Sequence, residues 1–151
     1  MKNSPFTTSS NILIMGGGPI GLAVLQVLKA RNARKVIVAE VSNRRKEFAT
    51  QFGADHVLDP SKDDVVRKSK ELCGGVAPDI VFDTAGNQSS IDLAIASCRG
   101  SGAIINIALW AGKGVTVRPD ELVFGEKSYR GSLTYVKGDF KEVIEAVSSG
   151  E

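Results

Sequence analysis

Gly16, Gly18 and Gly21 stand in the order G-x-G-x-x-G directly after the apolar run Ile12–Met15, and Glu40 ends the next apolar run. Glycines at that spacing permit a tight turn, a close backbone approach to a pyrophosphate, and a helix packed hard against its strand. An acid about 20 residues beyond such a motif can accept hydrogen bonds from both hydroxyls of an adenosine ribose. Pro19 has no N–H, so the phosphate donors must be neighbours such as Gly18 and Ile20, aided by the positive end of the helix dipole. At Gly18 any Cβ would stand between backbone and phosphate. The negative charge of Glu40 would repel a 2′-phosphate, which favours NAD over NADP. Arg44 and Arg45 lie near enough to neutralise such a phosphate, or else are solvated residues at a helix start.

Those residues need particular elements to position them. Ile12–Met15 reads as a strand covered on both faces, and residues 20–30 as a helix with Pro19 in its first turn. Strands are expected at 35–39, 56–58, 79–82 and 103–107, with helices at 43–52, 63–72 and 89–98 between them. Further on, the pattern predicts a small strand at 115–117, a sixth strand at 129–134 and a closing helix at 139–147 ended by Gly150. Alternating strands and helical crossovers imply an α/β fold: a doubly wound, parallel, six-stranded sheet with ligands at the carboxyl ends of its strands. The ends of the fourth and fifth strands carry Asp83, Thr84, Ala85 and then Ile107, Ala108, Leu109. Small and apolar side chains there would shield a nicotinamide ring, or are ordinary loop and core residues. Trp110 reads as packing, and Asp83, with no partner base in view, is not read as catalytic.

The bulk composition narrows the function classes. With 151 residues, 42% hydrophobic and 24% charged, the chain suits a single globular domain. A net charge of +2 argues for neither nucleic acid nor an anionic membrane surface. No apolar run reaches the roughly 20 residues that cross a bilayer. Residues 1–10 are expected as a disordered polar leader without the apolar stretch of a secretion signal, and 11–151 as the dinucleotide-binding domain. Cys73 and Cys98 lie far apart and His56 is the one histidine, so the residues supply no zinc site. Two free thiols suit a reducing, cytoplasmic setting.

Taken with Ile14–Gly21, Val38–Glu40, Gly53–Val57, Val81–Gly86 and Phe124–Leu133, the chain resembles the medium-chain dehydrogenase/reductase family. Its likeness is strongest to the zinc-dependent polyol branch of 2,3-butanediol and sorbitol dehydrogenases. The resemblance implies that Gly18, Pro19 and Ile20 line the pyrophosphate, that Glu40 and Arg45 hold the adenosine ribose, and that Thr84 and Ala85 follow along the passage to the nicotinamide. Ile107, Ala108 and Leu109, then Ser132, Leu133 and Thr134, would border that ring. It also implies a homodimer paired through 115–117, where an exposed strand edge would suit such pairing.

The departure from the family is as informative as the match. Members carry a separate catalytic domain that supplies the zinc ligands and most of the substrate pocket, and no counterpart of it is seen here. The expectation is a cofactor domain alone, with zinc confined to the missing domain. It would bind NAD(H) but perform no oxidation of a secondary alcohol or diol. The competing reading is a non-catalytic nucleotide-binding or dimerisation module.

Overall fold

Apolar side chains on alternate residues decide which layer each strand faces. The computed structural model describes residues 4–110, 114–133 and 137–149. Its strands are β1 (Asn11–Met15), β2 (Lys35–Ala39), β3 (His56–Leu58), β4 (Ile80–Asp83), β5 (Ala103–Asn106) and β6 (Ser128–Gly131). They form one parallel sheet in the order β3-β2-β1-β4-β5-β6. Helices α1 (Pro19–Ala30) and α2 (Asn43–Gln51) cover one face, where Leu25, Leu28 and Ala49 meet Ile12, Ile14, Val36, Val38, Phe82 and Ile105. Helices α3 (Val65–Leu72) and α4 (Gln88–Ser97) cover the other, where Val65, Ile91, Ala94 and Ile95 meet Leu13, Ile37, Val81 and Ile104. Every residue of β1 is buried, which is why Ile12–Met15 is a continuous apolar run and not an alternation. The chain winds outward from β1 in both directions, so the order of strands reverses between β1 and β4.

The local chemistry at the helix ends matches the elements. Pro19 occupies the first turn of α1, and Asn87 and Ser90 form a reciprocal capping box at the start of α4. Gly53, expected as the stop of the second helix, adopts φ +86° just after α2 and returns its N–H to the Thr50 carbonyl.

Two expectations are corrected in detail. Residues 115–117 form no strand: the Gln88 side-chain amide takes both backbone groups of Thr116, at 2.9 and 2.8 Å. A short helix, α5 (Pro119–Val123), precedes β6, where the proline that bounds the expected strand opens a helical turn instead. Ahead of β1, Phe6 packs against the α1 face of the sheet and Ser10 is buried in a turn with Thr7. The closing helix α6 (Lys137–Ser149) is present, longer than expected at both ends. Residues 1–3, Thr134 at the end of the expected sixth strand, and Gly150 lie outside the described residues.

Leu28 is fully buried between α1 and the sheet, whereas Val27 on the same turn faces outward. In urea unfolding, Leu28→Ala should cost about 2–5 kcal/mol. Val27→Ala should change stability by no more than about 0.5 kcal/mol.

Candidate functional site

The carboxyl ends of β1, β2 and β4 open into a cleft of about 450 Å³ at the reversal of strand order. Six of the expected residues line it together: Gly16, Gly18, Glu40, Arg45, Thr84 and Ala85.

The turn out of β1 is built by two glycines with separate duties. Gly16 sits at φ +100°, a conformation that disfavours side chains, and its N–H bonds to the Ala39 carbonyl at 2.8 Å. Gly21 is buried in α1, and a Cβ there would fall 2.0 Å from the Gly16 carbonyl oxygen. The helix therefore rests directly on the turn. Thr84 closes the arrangement from β4, its hydroxyl donating to the carbonyls of Met15 and Gly16 at 2.9 and 3.1 Å.

Gly18 differs from both. Its φ of −72° and ψ of 179° suit any residue, and a Cβ placed on it meets no protein atom within 4 Å. The fold makes no demand for glycine at this position; the missing side chain keeps open the cleft at the start of α1. The first intrahelical bond runs from Leu22 N–H to the Gly18 carbonyl at 2.9 Å, so the N–H groups of Ile20 and Gly21 precede any helical acceptor. That is the helix-terminus geometry that receives an anion.

Glu40 lies at the end of β2 and is only 5% exposed. One carboxylate oxygen accepts from Gly17 N–H at 2.7 Å and the other from Ser42 N–H at 2.8 Å. Each oxygen has a further lone pair, so a fixed carboxylate with spare acceptor capacity faces the cleft. Gly17, absent from the sequence expectations, matters here. A Cβ on it would lie 3.2 Å from Glu40 Cγ, so its missing side chain makes room for the acid. The two arginines now separate. Arg45 lines the cleft with its exposed guanidinium 3.8 Å from the buried Glu40, too long for a hydrogen bond and a loose ion pair. Arg44 instead lies over the Phe48 ring at 5.7 Å.

The far wall contains residues the sequence did not single out: Val41, Pro60, Asn87 and Leu93. Pro60 follows β3 and is anchored by its neighbour Asp59, which accepts from Lys46 and the Ser61 hydroxyl, both at 2.6 Å. These bonds hold the Asp59 carboxyl well below the usual carboxylate range, Lys46 contributing most. Only the neighbouring ends of β2 and β3 could have pointed to Pro60, and Leu93 needed the phase of α4.

The remaining expected residues lie beyond the cleft. Pro19 and Ile20 open α1, with Ile20 half exposed. Ile107 and Ala108 donate their N–H groups to the Asp83 carbonyl at 2.9 and 3.2 Å, and Ala108 packs on Gly86. Ser132 N–H bonds to the Asn106 carbonyl at 2.8 Å. Leu109 and Leu133 are largely exposed, and Thr134 is outside the described residues.

The sequence pattern of the zinc-binding dehydrogenases matches residues 19–149. The chain belongs to that family. It is 35% identical to (R,R)-butanediol dehydrogenase of Saccharomyces cerevisiae over 156 aligned positions, covering 100% of this chain and 40% of that protein. Its fold superimposes on 2R,3R-butanediol dehydrogenase of Bacillus subtilis with a TM-score of 0.90 at 30% identity, covering 99% of this chain and 42% of that one. A Sinorhizobium meliloti 1021 protein described as a zinc-binding dehydrogenase and bound to NADP matches with a TM-score of 0.78 at 26% identity, over 85% of this chain and 39% of that one. The chain thus spans about two-fifths of the length of these zinc-binding dehydrogenases.

The zinc of the family's name finds no fit in the residues described. Among them no three His, Cys, Asp or Glu side chains converge where they could hold a metal ion. Cys73 and Cys98 are buried and unpaired, and burial pushes the Cys98 thiol up to about 11, far from the thiolate a metal requires.

The glycine geometry makes a sharp contrast testable by thermal unfolding. Gly21→Ala should cost about 1–3 kcal/mol, because α1 must lift from the turn. Gly18→Ala should melt within about 0.5 kcal/mol of the wild type, because its Cβ enters open space.

Proposed function

We propose that this chain is the NAD(H)-binding module of a zinc-dependent alcohol or polyol dehydrogenase. The observation that carries the reading is Gly18, a motif glycine that the fold itself does not require, opening onto the cleft beside Glu40. An anionic pyrophosphate at the start of α1 would take the space a side chain would fill. The buried Glu40 carboxylate supports a ribose with both hydroxyls free and disfavours a 2′-phosphate, so NAD is preferred over NADP. The parent reaction is oxidation of a secondary alcohol or diol to a ketone, for which bound NAD supplies the hydride acceptor. The residues here bind and orient that cofactor. Among the described residues no cluster of side chains could hold a metal ion, and the chain alone should show no turnover.

Titration calorimetry with NADH and, separately, NADPH is the test. One-to-one NADH binding with weaker NADPH is expected. Glu40→Ala should weaken NADH by about 1.5–3 kcal/mol and narrow its preference. Gly18→Ala should weaken both nucleotides while melting normally. Equal affinity of the wild type for the two nucleotides would remove Glu40 as the discriminator, and absence of binding would leave the dimerisation-module reading.

We also propose self-association through 115–117, in a cytoplasmic setting that keeps both thiols reduced. Gln88 occupies the Thr116 edge of this segment, so pairing with a second copy would use the opposite edge. Sedimentation equilibrium should then show a dimer that Thr116→Pro leaves intact and Val117→Pro disrupts; a monomer at all concentrations would refute it.

A further inference from the structure

Two buried oxygen atoms on neighbouring strands have no hydrogen-bond partner: Asp83 Oδ2 at the end of β4 and Asn106 Oδ1 at the end of β5. Asp83 and Asn106 are register partners in the parallel ladder, so their side chains emerge on the same face, about 4.8 Å apart at the backbone. Both atoms are written as acceptors, and two acceptors cannot satisfy each other. The rest of each side chain is committed. Asp83 Oδ1 accepts from the N–H groups of Ala85 and Gly86, at 3.1 and 3.3 Å, and Asn106 Nδ2 donates to the Ala108 carbonyl at 3.3 Å. The nearby Ser90 hydroxyl commits its one proton to the Asn87 carbonyl at 2.8 Å. A single added proton between the two oxygens would satisfy both.

We propose that Asp83 is protonated in the folded protein and that its Oδ2–H donates to Asn106 Oδ1, an uncharged pair that positions the 84–86 turn at the cleft. Asp83 is a positioning residue: it touches the turn through Oδ1 and the β5 end through Asn106, while Thr84 and Ala85 line the cleft themselves.

The surroundings favour the neutral form. Asp83 is 0% exposed, and burial pushes its carboxyl above the ordinary value, against the pull of the Ala85 N–H, the nearby Ser90 hydroxyl dipole and the Gly86 N–H. Neither β1 nor β5 carries a charged residue. On β6 the charged residue is Arg130, which is exposed, and on α4 it is Asp92, likewise exposed. Among the described residues of these elements, the remaining titratable group facing Asp83 is the Tyr129 phenol, itself pushed up by burial and then by Asp83. No cation stands against Asp83 on these elements to hold it ionised.

The consequence for the cleft rests on the nucleotide reading; the proton does not. Infrared or 13C NMR detection of aspartate carboxyls should find a protonated carboxyl at neutral pH in the wild type that is absent from Asp83→Asn. Finding every aspartate ionised would overturn the proposal, with no need for any variant to fold. Stability supplies the second readout. A carboxyl whose folded value lies above its unfolded one contributes stability that is complete below the unfolded value and lost as pH rises through the folded one. Wild-type unfolding free energy should therefore fall relative to Asp83→Asn as pH rises past the carboxylate range. Asn at 83 offers an N–H to Asn106 in place of the acid proton, so the variant should fold at neutral pH and bind NADH within about twofold of the wild type. Asp83→Ala, which leaves the turn N–H groups unbonded, should bind NADH about tenfold more weakly. An ionised Asp83 taking the Asn106 amide would make Asp83→Asn as damaging as Asp83→Ala, with a pH-independent difference from the wild type, and that result would refute the proposal. Failure of the wild type to bind NADH would overturn the nucleotide reading and leave the spectroscopic and pH tests in force.

Discussion

The contact of α1 with the turn it grows from is the constraint on which the site depends. With a glycine at 21, the helix comes down against the Gly16 carbonyl, and any larger residue would hold it off. That approach brings the amino end of α1 to the mouth of β1, beside the ends of β2 and β4. It also places Gly16 where Thr84 can bond its carbonyl, tying the β4 end to the same point. Helix, turn and neighbouring strand form one rigid corner, and a corner of this kind costs little to order further when a ligand arrives.

Around that corner the sheet does the rest. Strands buried on both faces tolerate no polar side chains in their interiors, so polar groups collect at the strand ends. Glu40, Asp59 and Asp83 are the terminal or next residues of β2, β3 and β4, and each is almost wholly buried. Each meets the cost of burial differently. Glu40 takes two backbone N–H groups and a distant arginine. Asp59 takes a lysine and a serine. Asp83 has two backbone donors for one oxygen and nothing recorded for the other. An unpaired buried carboxylate is far costlier than an unpaired buried acid, which sets Asp83 apart from the other two.

The division of labour among the glycines has a parallel logic. Positive φ at Gly16 and close packing at Gly21 serve the fold, while Gly18 serves neither. A motif written with three identical letters thus holds three distinct physical requirements. Only the glycine at 18 answers to no requirement within the fold. Gly17, which no motif names, supplies a fourth by leaving room for Glu40.

What the sequence determined by itself was whatever rests on local pattern. The apolar runs placed the strands of the sheet, the glycine spacing placed the turn, and the order of elements dictated a parallel, doubly wound sheet. Those signals are short-range, and neighbours in the chain are enough to carry them. Strand propensity alone misplaced 115–117, because a side chain from α4 satisfies the backbone there and a proline starts α5 immediately after. Tertiary structure alone decided which residues meet. It separated Arg45 from Arg44, brought Pro60 and Leu93 to the cleft wall, and set Asp83 opposite Asn106. Those outcomes depend on strand register and helix phase summed across crossovers, and no local stretch of sequence contains that information.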